Sequence, residues 1–274
     1  MGQRKVKIGV VAPAARLLPE TADKVAALAG RTFGKRAEIV FHPQCFLNDG
    51  HFAGSDAVRA DAFLEIANDA SFDAVWFGRG GYGSGRIVDA VLKNLMPAAK
   101  AKAYLGYSDG GFVLAGLYRH GYRVAHGPIP HDIRRVGGEA AVLRALAWLI
   151  DRDKASLEPS LDGPAAAFNL TILGNLIGTP FLPDLAGHVL MLEEVSEHLY
   201  AIDRMMFHVT ASEAVRKVAG IRLGRVSDIP DNDPPFGQTS RQIAEHWCAL
   251  SGIPFLGDAD IGHDADNKVV PFGS

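Results

Sequence analysis

The sequence predicts an α/β fold, in which an N-terminal domain built on a parallel sheet is followed by a smaller α+β C-terminal domain. Three observations predict it. Short apolar runs alternate with segments of helical period through the first half of the chain. These runs are apolar throughout, which is typical of strands that are buried on both faces. A polar segment that contains proline then separates a second, less regular half.

Five apolar runs in the first half are predicted strands, at residues 6–12, 38–41, 74–78, 103–107 and 123–125. Helical patterns lie between and after them, at residues 22–28, 56–67, 86–95, 111–118 and 139–151. Ser55 precedes the second of these helices and is its predicted N-cap. This alternation predicts a parallel sheet with helices on both faces. Ligands bind beyond the carboxyl ends of such strands, so the residues that follow each strand are the candidate functional residues.

The domain boundaries are predicted from a change in composition. We expect residues 1–153 to form the α/β domain and residues 165–274 to form the C-terminal domain. Residues 154–164 are polar, contain two prolines and are the predicted linker. Within the C-terminal domain the patterns predict strands at 188–192, 218–223 and 269–272, and helices at 200–210 and 242–250.

Composition and charge exclude several classes of protein. Lys plus Arg number 28 and Asp plus Glu number 31, so no basic surplus indicates nucleic acid or an anionic membrane as a partner. Cys45 and Cys248 lie far apart and do not suggest the disulfide framework of a small secreted protein. The first apolar run is soon broken by Pro13, which favours a buried strand over a signal peptide. Gly2 lacks the serine or threonine four positions later that myristoylation requires. We therefore expect a cytoplasmic protein without a membrane-spanning segment.

A G-x-S-x-G pattern lies between a predicted strand and a predicted helix. Residues 106–110 read Gly-Tyr-Ser-Asp-Gly. A sharp strand-to-helix turn would raise the Ser108 hydroxyl above the sheet, where backbone N–H groups at the start of the helix can bind an oxyanion. The alternative is that Ser108 only caps the helix, as serine often does.

A glycine-rich turn follows the third predicted strand. Residues 77–86 read Phe-Gly-Arg-Gly-Gly-Tyr-Gly-Ser-Gly-Arg, with five glycines in eight residues. The Walker pattern fails here because no Lys-Ser or Lys-Thr follows, and no acidic residue ends a strand where a dinucleotide site requires one. The turn is either a close approach of the main chain to a ligand or only a tight turn. Arg79 and Arg86 favour an anionic group such as a carboxylate.

A nucleophilic serine requires a base and an acid that orients the base. Glu193 ends an apolar run and is the candidate acid, with Glu194 and Glu197 as alternatives. His263 lies in a loop that follows a glycine and is the candidate base, and His126 and His131 compete with it. A metal site is not indicated, because the sequence contains neither H-E-x-x-H nor paired cysteines.

Seven motifs in order along nearly the whole chain resemble those of the LD-carboxypeptidase family, which includes the microcin-immunity peptidases. They are Ala-Pro at 12–13, Phe-Ala-Gly-Ser-Asp at 52–56 with Arg59, Arg-Gly-Gly-Tyr-Gly at 79–83, Gly-Tyr-Ser-Asp at 106–109, His-Gly-Pro at 126–128, Leu-Glu-Glu-Val at 192–195 with Asp203-Arg204, and Gly-His at 262–263. Each motif alone is short, but seven at sensible separations are specific. The resemblance implies a Ser–His–Glu triad of Ser108, His263 and Glu193, at a site between the two domains.

The resemblance also implies an activity. The family removes D-Ala from the murein tetrapeptide in cell-wall recycling, by hydrolysing the amide between an L-centre and the terminal D-Ala. It implies a muropeptide partner, no cofactor and, because family members are often dimers, a homodimer. The residues that we expect to bind the oxyanion or the substrate are Asp109, Gly80, Gly81, Arg79, Tyr82 and Arg204. Arg86 is a further candidate for the substrate carboxylate.

Some positions depart from the usual family pattern. Ala14 replaces a serine, Ala167-Phe168 replaces a Gly-Gly pair, Gly110-Gly111 replaces a bulkier pair, and Glu194 replaces an aspartate. Three alternative functions therefore stay open. An immunity-type amidase acting on a peptidyl nucleotide would need an aromatic residue such as Phe168 or Phe46 to stack on the base. An α/β-hydrolase esterase would usually carry a His-Gly-Gly turn, which is absent here. The last alternative is a non-catalytic muropeptide-binding module.

Overall fold

The structure is a computed structural model that describes residues 4–273. Gly2, where we predicted no lipidation, lies outside the described residues. Two sheets organise the fold. Six strands form one sheet and four form the other.

The N-terminal domain contains each element that the patterns predicted. Its strands are β1 (Val6–Val11), β2 (Ala37–Phe41), β3 (Ala74–Phe77), β4 (Ala103–Gly106) and β5 (Arg123–His126). Its helices are α1 (Pro19–Phe33), α2 (Asp56–Asn68), α3 (Val88–Asn94), α4 (Gly111–Arg119) and α5 (Gly138–Asp151). All pairings among these five strands are parallel. The Ser55 hydroxyl accepts from the backbone N–H of Val58, so the predicted N-cap of α2 is confirmed.

The second sheet is more regular than the α+β arrangement that we expected. Its strands are β6 (Ala165–Asn169), β7 (Val189–Val195), β8 (Gly220–Ser227) and β9 (Phe255–Asp258), and all three pairings are parallel. Its helices are α6 (Leu170–Leu176), α7 (Leu199–Ala211) and α8 (Ser240–Ser251). The patterns did not predict β6, α6 or β9. The prediction of a parallel-sheet α/β domain followed by a smaller domain is confirmed.

The chain returns to the first sheet at its C-terminal end. The last strand, β10 (Val270–Pro271), pairs antiparallel with β5. The strand order of the first sheet is therefore β10-β5-β4-β3-β1-β2, and that of the second is β6-β7-β8-β9. The first strand of the second sheet, β6, packs against both β5 and β10. A segment that belongs by sequence to the C-terminal half therefore completes the N-terminal sheet, and the two sheets lie side by side.

The register of β3 and β4 determines where the site forms. Val75 lies opposite Tyr104, so the two strands end at the same edge of the sheet. The glycine-rich turn and the serine turn follow these two strands directly. Beneath this edge, the rings of Phe63 and Tyr104 stack at 6.0 Å within the core. Buried strands thus give both turns a rigid base.

Among residues 4–273, no helix has both the length and the hydropathy that crossing a membrane requires. Cys45 and Cys248 are both buried and free.

Candidate active site

The structure brings Ser108, His263 and Glu193 together. The Oγ of Ser108 lies 3.0 Å from His263 Nε2, and His263 Nδ1 lies 2.6 Å from Glu193 Oε2. With His263 neutral, Ser108 can donate to Nε2 while the Nδ1–H donates to the carboxylate. Glu193 is 1% exposed and His263 is 9% exposed, so both hydrogen bonds lie largely away from water. The geometry is that of a nucleophile, a base and an orienting acid.

Ser108 has an unusual backbone conformation. Its φ is 57°, in the left-handed region that non-glycine residues rarely adopt. Tyr107, which precedes Ser108, is extended, with φ −159°. Helix α4 begins at Gly111, shortly after Ser108. A Cβ at Gly106 would lie 2.4 Å from Phe77 Cδ2, and one at Gly110 would lie 2.8 Å from the same atom. The two glycines of the G-x-S-x-G pattern are therefore required by close packing against Phe77.

The glycine-rich turn lies directly against the serine turn. A Cβ at Gly80 would lie 3.0 Å from Ser108 Oγ and 3.8 Å from the backbone nitrogen of Asp109. The Asp109 carboxylate accepts from the N–H groups of Gly83 and Ser84, at 3.3 and 2.8 Å. Burial raises the pKa of Asp109, although these hydrogen bonds oppose the shift. The Asp109 side chain thus joins the two turns, and its backbone N–H borders the space beside Ser108.

A strand irregularity positions Glu193. The register between β7 and β8 shifts between Leu192 and Glu194, so the irregularity falls at Glu193. Such bulges re-aim side chains beside active sites. Glu194 is occupied elsewhere, since its carboxylate accepts from Asn169, Thr171 and Val195. The structure thus directs Glu193, and not Glu194, toward His263.

Two opposing effects act on the pKa of His263. Burial alone would lower it, whereas the charge and the hydrogen bond of Glu193 raise it. The Glu193 effects prevail, and the pKa of His263 lies above its usual value. The Tyr107 ring supports the imidazole, with centroids 4.8 Å apart. The competing His126 is fully buried, and burial lowers its pKa to about 4.

Two arginines hold the loop that carries His263. Arg225 bonds the carboxylates of Asp260 and Asp264, on either side of the histidine in the sequence. Arg144 Nη1 donates to the carbonyl oxygens of Ala265 and Asn267, at 2.9 and 2.8 Å. The position of His263 is therefore fixed by side chains from both halves of the chain. Neither arginine could be selected from the sequence, because only their partners in the fold reveal their role.

A cavity of about 180 Å³ opens beside the serine. Its walls include Arg79, Gly80, Ser108, His131, Arg135 and His263. Arg135 was not among the predicted site residues. The only local signal for it is Asp132, an acid three residues earlier, to which Arg135 Nε donates at 3.1 Å.

Other predicted binding residues lie outside this cavity. Tyr82 is 56% exposed and lines a neighbouring cavity of about 410 Å³ together with Arg86. Arg86 is paired with Asp56 at 2.8 Å. Arg204 is exposed, and its guanidinium lies over the ring of Tyr200. It is not among the residues that line the cavity beside Ser108, and its role in substrate binding stays a prediction.

Within the described part of the chain, no group of three or more His, Cys, Asp or Glu side chains is placed to hold a metal ion.

Residues 8–127 match the LD-carboxypeptidase N-terminal domain, and residues 162–274 match the LD-carboxypeptidase C-terminal domain. Both matches are to one family of serine carboxypeptidases. The chain belongs to this LD-carboxypeptidase family, and the resemblance of its seven motifs is confirmed.

The chain is also similar to individual proteins in sequence and in structure. The murein tetrapeptide carboxypeptidase of Pseudomonas aeruginosa is 27% identical over 81% of this chain and 78% of its own. The crystal structure of muramoyltetrapeptide carboxypeptidase from Oxalobacter formigenes has a TM-score of 0.79 at 22% identity, covering 98% of this chain and 93% of that one. MccF in complex with glutamyl sulfamoyl guanosine has a TM-score of 0.80 at 17% identity, covering 100% and 92%. The two solved structures share the fold.

Proposed function

We propose that the protein is a serine LD-carboxypeptidase that removes the terminal D-Ala from murein tetrapeptides. The bond hydrolysed is the amide between an L-centre (L-Lys or meso-diaminopimelate) and D-Ala. One observation carries the proposal: the continuous chain of hydrogen bonds from Ser108 through His263 to Glu193, at 3.0 and 2.6 Å. Membership of the family and the name of the Pseudomonas relative support the substrate class.

The proposed mechanism assigns one role to each group. His263 Nε2 takes the proton of Ser108 as Oγ attacks the carbonyl carbon, and Glu193 stabilises the imidazolium that forms. Backbone N–H groups of Asp109 and of the Gly80-Gly81 turn bind the oxyanion, worth roughly 10²–10³ in rate for each donor. His263 then returns the proton to the leaving D-Ala amine. A water molecule, activated by the same histidine, hydrolyses the acyl-enzyme.

The alternative is an immunity-type amidase that cleaves a peptidyl nucleotide. We consider it because the chain shares its fold with MccF. Such an enzyme needs an exposed aromatic ring to stack on the base. Phe168 is 1% exposed and packs against Phe272, and Phe46 packs against the core of the N-terminal domain. Phe168 is thus unavailable for stacking, and Phe46 is partly buried against the core, which favours the tetrapeptide substrate.

Three further expectations accompany the proposal. We propose a cytoplasmic homodimer, which cell fractionation and sedimentation analysis would test. We also propose that residues 1–153 and 165–274 act as two domains joined by residues 154–164. Limited proteolysis that cuts first within 154–164 would support those boundaries.

Mass spectrometry of the products formed from muropeptides tests the function. We expect loss of one D-Ala from the tetrapeptide and no reaction with the tripeptide or pentapeptide. Ser108→Ala should abolish this loss, whereas Ser71→Ala, at an exposed serine, should not change it. Full activity of Ser108→Ala would contradict the assignment of the nucleophile. Cleavage of a peptidyl nucleotide instead of the tetrapeptide would favour the immunity-type alternative.

A further inference from the structure

The cavity beside Ser108 is small, and its wall carries positive charge. Its volume of about 180 Å³ lies below the roughly 300–1,000 Å³ that is usual for ligand pockets. It therefore suits one small piece of a substrate. Ser108 and His263 form one part of its wall, and Arg79, His131 and Arg135 form another.

Arg135 is held in a fixed relation to the catalytic histidine. Its Nε donates to Asp132 Oδ1 at 3.1 Å. The same carboxylate accepts from the Tyr107 hydroxyl at 2.7 Å and from the Ile129 N–H at 2.9 Å. The Tyr107 ring in turn lies against His263, with ring centroids 4.8 Å apart. The Arg135 side chain is still 35% exposed, so the fork of its guanidinium borders the cavity.

Arg79 adds a second cation without an acidic partner. Its Nη1 donates to the carbonyl oxygen of Arg16 at 3.0 Å, and no acid pairs with it among residues 4–273. Burial lowers the pKa of Arg79, and the nearby charges of Arg134 and Arg16 lower it further. An uncompensated cation of this kind is stabilised when an anion binds.

His131 completes the wall as a neutral polar group. Burial, with the charges of Arg79, Arg134 and Arg135, lowers its pKa to about 4. Its buried Nδ1 has no hydrogen-bond partner among the described residues. Asp132 is the one acid in the cavity wall of the described chain, and it is already engaged by Tyr107 and Arg135. The cavity thus offers cations and an unused polar atom but no free negative charge.

We infer that Arg135 and Arg79 bind the terminal α-carboxylate of a single small leaving residue. This inference rests on the proposed function and deepens it, because it names the groups that restrict the enzyme to the last residue of a chain. A carboxylate is planar and matches the guanidinium fork, which lysine cannot reproduce. The small volume suits a single leaving residue better than a chain that continues beyond it.

Two substrates and three variants test the inference. The tetrapeptide ending in D-Ala is compared with its C-terminal carboxamide. Loss of a charge-assisted hydrogen bond in Arg135→Gln or Arg79→Gln should raise the KM for the free acid by roughly 10- to 100-fold. The KM for the carboxamide should change little. The difference in KM between the carboxamide and the free acid should therefore be largely lost. Arg31→Gln, at an exposed arginine on α1, is the charge-matched control and should keep both KM values.

Labelling of Ser108 by a fluorophosphonate separates the two levels of the proposal. Retained labelling in Arg135→Gln together with an unchanged KM for the acid would overturn the carboxylate assignment and leave the proposed function intact. Absence of both labelling and turnover in the unsubstituted protein would overturn the proposed function, and with it this inference.

Product inhibition of the unsubstituted enzyme gives a readout that needs no variant to fold. D-Alanine should inhibit at least about tenfold more strongly than D-alaninamide, because only the acid offers a carboxylate to the arginines. Equal inhibition by the two compounds would contradict the inference.

Discussion

Gly80 and Ser108 lie so close that a Cβ at Gly80 would be 3.0 Å from the serine Oγ. The contact joins the turn after β3 to the turn after β4, which meet because the two strands are parallel neighbours. The absence of a side chain at Gly80 leaves Ser108 free to reach His263 Nε2 at 3.0 Å. The glycine-rich turn is therefore a wall of the site, and the tight-turn interpretation alone does not account for it.

Replacement of Gly80 tests this contact. The φ of Gly80 lies outside the left-handed region, so Gly80→Ala keeps the backbone and adds only a methyl group against Ser108. The added methyl group should displace the hydroxyl by a few tenths of an ångström and lower kcat, by less than the roughly 100-fold that a shift of about 1 Å produces. Steady-state kinetics measures it. Gly30→Ala is the matched control, because α1 leaves open space there, and it should retain kcat. An unchanged kcat in Gly80→Ala would contradict the role of the contact.

The pH dependence of activity should reflect the raised pKa of His263. Only the neutral imidazole can accept the Ser108 proton, so activity is lost as the pH falls through the pKa of the free enzyme. Because Glu193 outweighs burial, the midpoint of the acid limb of kcat/KM should lie above the usual value of about 6.5. A profile of kcat/KM against pH measures it. A midpoint below 6.5 would show that burial prevails.

Glu193→Gln should both slow the reaction and move the acid limb of the pH profile. Loss of the charge that orients and stabilises the imidazolium should lower kcat by about 10⁴-fold. The remaining effect of burial should lower the pKa of His263, so the acid limb moves to lower pH. Glu194→Gln is the control, because its carboxylate bonds Asn169 and Thr171 instead of the histidine. It should leave the midpoint within the error of the measurement. Equal shifts in both variants would argue against a specific role for Glu193.

The sequence predicted the first sheet well because its strands are continuous apolar runs. It missed β6 because Ala165–Asn169 begins with three alanines, which have weak strand propensity. Those residues form a strand because they are buried between β7 and the edge of the first sheet, where small side chains permit close approach. Such tertiary burial cannot be recognised from a local pattern.

In the site too, residues in local motifs could be predicted from the sequence, whereas residues that depend on tertiary contacts could not. Ser108, Glu193 and His263 were selectable because each lies in a short motif, although no spacing rule required them to meet. Arg135 was missed because its position depends on a buried hydrogen bond from Tyr107 to Asp132, between residues 25 apart in sequence. Residues that act through a tertiary partner have at most a weak signature in the sequence around them, as Asp132 is for Arg135.

The backbone conformation of Ser108 makes a prediction about stability. A serine at φ 57° carries roughly 1–2 kcal/mol of strain that glycine does not. Both Ser108→Gly and Ser108→Ala remove the hydroxyl. The difference between their free energies of unfolding therefore reports the strain of the backbone at position 108. Ser108→Gly should exceed Ser108→Ala by about 1 kcal/mol in the free energy of unfolding, measured in urea. Ser84→Gly and Ser84→Ala are the control pair. Because the φ of Ser84 is not positive, Ser84→Gly should be less stable than Ser84→Ala. The same order at both serines would mean that the turn at Ser108 is not strained.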